Sequence, residues 1–222
     1  MLNGRRISVV IPAYNEAERL PGVLGRIPDF VDEVLVVDDG SADGTYDAAR
    51  AFSEKDPRIK AIRLEENCGK GCAMREGVKQ STGDVVVFMD ADGQHKPEDI
   101  IKLVEPIVRG EADMVIGARK VEERGKRPLH RRLSNIITTR LIRLKLRRYI
   151  YDTQSGFRAF RREFLPEIES SRYEVETEML FKAAKMGARI KEVPVGMIYD
   201  PAREGRFGFG DVLRFIRTYL KF

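Results

Sequence analysis

Cysteine is scarce in this 222-residue chain: the two present, Cys68 and Cys72, stand four apart in NCGKGCA with no histidine beside them. That arrangement lacks the paired spacing of a zinc site and reads as two small, partly buried thiols. Long apolar runs are missing as well. MLNGRRISVVIPAYNE is too short in its apolar part for a signal peptide, and no stretch approaches the roughly 18 to 20 apolar residues of a membrane span. The expectation is a cytoplasmic protein whose membrane contact, if it has any, is peripheral. Low-complexity tracts and internal repeats are also absent. With 42% hydrophobic and 34% charged residues, the chain reads as globular rather than disordered or fibrous. Its length suits one well-cored α/β domain with a small appendage.

Acidic residues are nearly missing from one segment. Residues 119 to 148 hold twelve Lys/Arg and two Glu, a local +10, although the whole chain carries only +5. A basic block of this kind points to a polyanionic partner: nucleic acid, an anionic membrane surface or a phosphorylated substrate.

What the sequence does contain is a regular alternation. ISVVI precedes a helical pattern over 16–26, EVLVVD one over 44–55, IKAIRL one over 69–81, and DVVVFMD is followed by PEDIIKLVEPIVRG. The strands are short and apolar on both faces, as parallel strands covered by helices require, which predicts a doubly wound α/β sheet extended by ADMVIGA. Beyond it, Leu129, Leu133, Ile136, Ile137, Leu141 and Leu144 trace a helical stripe studded with arginines, one amphipathic basic helix or two. A helix over 174–186, a strand in ARIKEVPVGMIYD and a helical GDVLRFIRTYLKF complete the pattern.

Ligands bind outside the carboxyl ends of parallel strands, so the polar residues there carry the chemistry. Successive strands end in PAYNE (residues 12–16), DDGS (38–41), NCGKG (67–71) and DADGQH (90–95). Asp90 and Asp92, at i and i+2, can meet at one hard cation, with Gln94 adding an amide oxygen. Oxygen donors favour Mg²⁺ or Mn²⁺, which in turn bind diphosphate. Taken singly, D-x-D and DDGS serve equally well as turns or helix caps, and GKG is short of a full phosphate loop. Their joint placement at four strand ends favours a site.

The series IPAYNE, VDDGS, GKGCAMREG, DADGQH, DTQSGFR and YDPAREG resembles the family 2 glycosyltransferases of GT-A fold, and within them the dolichol-phosphate and polyprenyl-phosphate mannose and glucose synthases. The resemblance implies that Pro12, Tyr14, Glu16 and Asp38 or Asp39 hold the nucleotide, with Lys70 nearby. It further implies that Asp90, Asp92 and Gln94 bind metal and diphosphate, and that Arg119, Arg131 and Arg203 grip the acceptor phosphate and donor diphosphate. Asp152, Gln154, Glu176 and Glu178 match polar pocket positions, with turn-capping or an exposed helix face as their structural alternatives. The implied reaction is inverting transfer of a hexose, mannose first, from a nucleoside-diphosphate sugar (GDP-mannose, or alternatively UDP-glucose) to a polyprenyl or dolichyl phosphate at the cytoplasmic face of a membrane. Residues 1–206, including the basic segment 126–148, would form the catalytic domain, and 207–222 an amphipathic helix at the membrane interface. One departure stands out: Gly205, Arg206, Phe207 and Gly208 follow Arg203 where the branch has G-x-S-K.

Two rival readings fit less well. Sugar nucleotidyltransferases carry a glycine-rich basic loop after the first strand, where this chain has PAYNE. A basic nucleic-acid or membrane-binding module would leave the acidic strand ends unexplained, with only Tyr149 and Tyr151 near the block for base stacking, so no nucleic acid is expected.

Overall fold

The computed structural model describes residues 1–119, 129–172, 174–198 and 216–221, with side chains of the 129–146 helix described from Thr138 onward. Its frame is a seven-stranded sheet in the order β3-β2-β1-β4-β6-β5-β7. The strands are β1 (Ile7–Ala13), β2 (Glu33–Asp38), β3 (Ile59–Arg63), β4 (Val85–Phe88), β5 (Met114–Arg119), β6 (Arg158–Arg161) and β7 (Ile190–Val195). The α/β architecture expected from the alternation is present. β1 pairs in parallel with β2 and β4, β2 with β3, and β5 with β7.

β6 is the exception within a mostly parallel sheet. It runs antiparallel between β4 and β5, with Val87 opposite Ala159 and Val115 opposite Ala159 on the other side. RAFR is four residues long and flanked by arginines, so no periodicity marks it as a central strand. Arg158 nevertheless lies fully buried, donating to the carbonyls of Thr153, Ser155 and Glu176 at 2.5–2.6 Å. Burial lowers its pKa to about 10. A guanidinium can be buried here because three main-chain oxygens replace its water.

Helices cover both faces. α1 (Leu20–Leu24), α2 (Thr45–Ser53) and α4 (Ile100–Val108) pack on one side, and α3 (Lys70–Gln80), α5 (Leu129–Leu146) and α6 (Val175–Lys185) belong to the other. Alternate residues of β1 serve the two cores: Ile7, Val9 and Ile11 one, Val10 the other. Each such side chain contributes about 1.5–3 kcal/mol of burial. α1 is shorter than the 16–26 pattern suggested, because Glu16 to Arg19 form a turn in which the Glu16 carbonyl accepts the amides of Arg19 and Leu20. The basic segment is one helix, not two, among the described residues.

The C-terminal residues 216–221 are helical. Tyr219 packs edge-on against Phe181 of α6 with ring centroids 6.1 Å apart, and the Lys145 ammonium lies 4.5 Å above the Tyr219 ring and donates to its carbonyl. The domain boundary expected at 206/207 falls outside the described residues. No helix among the described residues is long and apolar enough to cross a membrane.

Candidate active site

The loops after β1, β2 and β3 are laced together before any ligand is considered. The Asn15 amide donates to the Ser41 hydroxyl at 2.9 Å, the Glu16 amide to Thr45 at 2.8 Å, and the Ala42 amide to the Asn15 side-chain oxygen at 3.2 Å. Asp39 accepts the amides of Cys68 and Gly69 at 3.0 and 2.8 Å. Gly40 sits at φ +69 with its missing Cβ position 2.7 Å from the Glu66 carbonyl carbon, so both backbone conformation and close approach demand glycine. Three short sequence motifs thus form one rigid wall.

That wall bounds a cavity of about 380 Å³ at the carboxyl edge of the sheet. Pro12, Tyr14, Glu16 and Asp39 line it from the first two loops, Asn67, Gly69 and Lys70 from the third, and Asp90 and Asp92 from the fourth. Seven of the residues expected at a nucleotide or metal site therefore meet at one place. Arg172, which no motif pointed to, completes the lining. It belongs to a segment held against the Gly69–Gly71 turn, where the Gly71 amide donates to the Ser171 carbonyl at 2.8 Å.

Lys70 and Asp90 of this lining belong to a charged cluster. The Lys70 ammonium is 2.5 Å from Asp90 Oδ1 and 2.7 Å from Glu176 Oε1, with the three side chains 18, 28 and 9% exposed. Burial works against the charge on Lys70, but the two carboxylates outweigh it and raise its pKa. Burial likewise opposes the charge on Asp90, yet Lys70 and His95 hold its carboxyl well below the usual range. His95 Nε2 stands 3.7 Å from Asp90 Oδ2, its ring packed against that of Phe157 at a tilt of 34°, with centroids 4.9 Å apart. Asp92 goes the other way: burial and the Asp90 charge beside it raise its pKa. The Asp90 charge thus disfavours a second charge on Asp92, and a cation beside the two would favour it.

Gly156 of the DTQSGFR motif makes this packing possible. A Cβ there would meet Asp90 Oδ2 at 2.7 Å and Lys70 Nζ at 2.8 Å. The same motif anchors α5, since Gln154 donates to the Thr138 hydroxyl at 3.0 Å and the Thr139 and Thr153 hydroxyls meet at 3.1 Å.

Several expected site residues are placed differently. Asp38 is buried and outside the cavity lining, accepting the Ser41 amide, with Arg63 Nε 3.6 Å from its second oxygen. Gln94 is also outside the lining; its main-chain N–H donates to Asp92 Oδ1 at 2.9 Å. Arg119 and Asp152 are buried against each other in a two-point ion pair, 2.6 Å at both contacts, so neither is a free cavity group. Burial opposes the charge of Arg119, and Asp152 raises its pKa regardless. Glu192 in turn holds the Tyr151 and Asp152 amides at 2.7 Å. Glu176 and Glu178 are buried, which corrects the exposed-face alternative. Glu178 accepts the amides of Glu169 and Ser170 and pairs with Lys182, fixing the segment that carries Arg172. Arg131 lies in α5 at a position whose side chain is outside the description, and Arg203 lies outside the described residues.

The described residues contain no group of three or more His, Cys, Asp or Glu able to enclose a metal ion. Asp90 and Asp92 offer instead a two-carboxylate edge, the furnishing that suits a hard cation whose remaining ligands are water and phosphate oxygen.

The chain also has clear relatives among known proteins. Residues 8–169 match the family described as glycosyl transferase family 2. The chain is 37% identical over 220 residues to an undecaprenyl-phosphate mannosyltransferase of Micrococcus luteus, covering 93% of this chain and 89% of the relative. It is 33% identical to a UDP-N-acetylglucosamine–dolichyl-phosphate N-acetylglucosaminyltransferase of Methanococcus voltae, with 87% and 86% covered. Among solved structures, glucosyl-3-phosphoglycerate synthase from Mycobacterium tuberculosis, in complex with Mn²⁺, UDP and phosphoglyceric acid, aligns with a TM-score of 0.74 at 28% identity, covering 98% of this chain and 78% of that one. A cavity walled by the loops after four strands, with Asp90 and Asp92 in its lining, thus lies in a chain that belongs to glycosyltransferase family 2.

Proposed function

We propose that the protein transfers a hexose from a nucleoside-diphosphate sugar to a polyprenyl phosphate at a membrane surface, with inversion, and that GDP-mannose is its first donor. The observation that carries this reading is the convergence of Tyr14, Glu16, Asp39, Lys70, Asp90 and Asp92 on one cavity. Its volume of about 380 Å³ lies within the range of small-ligand sites. The mannosyltransferase and N-acetylglucosaminyltransferase relatives, both named for lipid-phosphate acceptors, support the acceptor class.

In this reading the PAYNE and DDG loops bind the nucleoside, and Asp90 and Asp92 hold Mg²⁺ or Mn²⁺ against the diphosphate. Such a cation would neutralise charge on the leaving diphosphate. An acceptor phosphate is already ionised at neutral pH, so its attack on the anomeric carbon needs no strong general base. The chain's task is to bring anions together. Arg119, held by Asp152 through Nε and Nη2, would add its positive charge from behind the site, and Arg131 and Arg203 would supply guanidiniums to the phosphates. Gln154 keeps α5 in register with this edge.

A membrane-bound acceptor gives the basic surface a purpose. Leu144, Tyr149 and Leu220 are 73–75% exposed, and Arg140, Arg147 and Arg148 are exposed nearby in sequence. Residues 1–206 would be the catalytic unit and 207–222 an interface element. A UDP-sugar donor, glucose included, is the second reading, supported by the UDP bound in the mycobacterial enzyme.

The test is incubation with Mg²⁺ or Mn²⁺, a short polyprenyl phosphate and a panel of GDP- and UDP-sugars, followed by detection of a glycolipid. A product from GDP-mannose is expected. Transfer to a soluble sugar or protein, with no lipid product from any donor, would overturn the acceptor assignment.

A further inference from the structure

The Lys70 ammonium occupies Asp90 Oδ1, one of the oxygens that the proposed cation needs. It cannot be a casual surface contact. Lys70 opens α3, Asp90 lies two residues after β4 and Glu176 lies in the first turn of α6, so three segments far apart in sequence meet at one nitrogen. Gly156 leaves the space in which the pair sits, and His95 approaches Asp90 from its other oxygen. Three carboxylates, Asp90, Asp92 and Glu176, gather here; the Lys70 ammonium touches two of them, while the Arg119 guanidinium acts on Asp90 and Glu176 from farther off and Arg172 lines the cavity.

We infer that Lys70 is a built-in counter-ion of the metal site: it screens Asp90 while the cavity holds no donor, so the divalent cation loads together with the nucleotide diphosphate rather than before it. The inference rests on the reading that Asp90 and Asp92 hold the cation, and goes beyond it by assigning a positioning residue and a binding order. Lys70 already has a second carboxylate at 2.7 Å in Glu176. Release of Asp90 therefore leaves the ammonium paired. When a diphosphate brings its own negative charge, the balance moves toward a second cation, and the ligand and the metal raise each other's affinity by the same factor. Metal alone meets an Asp90 whose charge is already matched by an ammonium at 2.5 Å.

The test uses Mn²⁺ alone, followed by its electron paramagnetic resonance signal, with no sugar or lipid present, so its result is independent of the glycolipid assay. Wild type, Lys70→Met and the double variant Lys70→Met/Glu176→Gln are compared. The double variant guards against misfolding, because it does not leave Glu176 as an unpaired buried carboxylate. Mn²⁺ binding at least about tenfold tighter than wild type is expected in each folded variant. That gain should vanish when Asp92→Asn is added. Unchanged or weaker Mn²⁺ binding in the folded double variant would overturn the inference, as would a gain that survives Asp92→Asn. No Mn²⁺ binding by any of the proteins would overturn it too. A purely structural role for Lys70 predicts no gain in metal affinity at all.

Discussion

The carboxylate of Asp92 accepts the Gln94 amide at 2.9 Å and also lines the cavity, so the turn and the ligand edge are the same piece of chain. Replacing Asp92 by Asn keeps an oxygen for that amide and removes the charge. Asp92→Asn is therefore expected to melt close to wild type while losing metal-dependent transfer by at least about a hundredfold. Thermal denaturation beside the glycolipid assay checks both halves, and full activity would remove the cation from the reaction. Gly156 offers a complementary test, because an added methyl lands within 2.8 Å of both Asp90 Oδ2 and Lys70 Nζ. Gly156→Ala should cost about 1–3 kcal/mol in urea denaturation, as overpacking does, and weaken nucleoside-diphosphate binding measured by calorimetry. Asp90, Asp92, Lys70 and Tyr14 were legible because each directly follows a buried strand or opens the next helix, where strand-end logic places ligand groups. Arg172 and the partnership of Glu176 with Lys70 were not. They depend on contacts across about a hundred residues, which no local spacing encodes.

At the scale of elements, the alternating half of the chain could be read directly, since β1 to β5 and α2 to α4 lie where the periodicity put them. β6 was hidden because its residues carry charge, and the reason it can be central is the carbonyl cage around Arg158. The opposite edge of the sheet is held by another ion cluster. Asp113, just before β5, accepts the guanidinium of Arg189, just before β7, at 2.8 and 3.0 Å, and the Arg189 amide at 3.0 Å. Hydrogen bonding from Arg189 overcomes burial and lowers the Asp113 pKa to about 2. A folded pKa below the unfolded one stabilises the fold above the unfolded value. That contribution fades as pH falls from about 4 toward 2, and above this window it is on the order of 2 kcal/mol. Asp113→Asn should thus be less stable than wild type at pH 7, with the gap closing between pH 4 and pH 2. Thermal melts across that range measure it, and a gap independent of pH would show that the Asp113 charge is not its source.

At the scale of the whole molecule, the basic block announced a polyanionic partner from composition alone, but which of its apolar residues stay outside was decided by packing. Ile142 is buried, while Leu144, two residues on, is 73% exposed. Tyr219 packs into the body, while its neighbour Leu220 is 75% exposed. The contact between Lys145 and Tyr219 brings α5 beside the C-terminal helical residues, so Leu144 and Leu220 belong to neighbouring elements with Arg140 and Arg217 exposed on them and Arg147 and Arg148 exposed just after α5. Basic residues near an anionic bilayer contribute about 1 kcal/mol each, and apolar tips that enter the interface add to it. Leu144→Glu/Leu220→Glu removes both apolar tips and adds charge repelled by anionic lipid. It should leave the melting temperature and nucleoside-diphosphate binding near wild type, because neither side chain lies in a core or in the cavity lining. Cosedimentation with vesicles containing phosphatidylglycerol should fall at least about tenfold, and residual wild-type binding should weaken with salt as exposed charges are screened. Vesicle binding unchanged in the double variant would place the docking surface elsewhere on the molecule. Binding lost together with nucleotide affinity would instead mean that the two leucines support the fold.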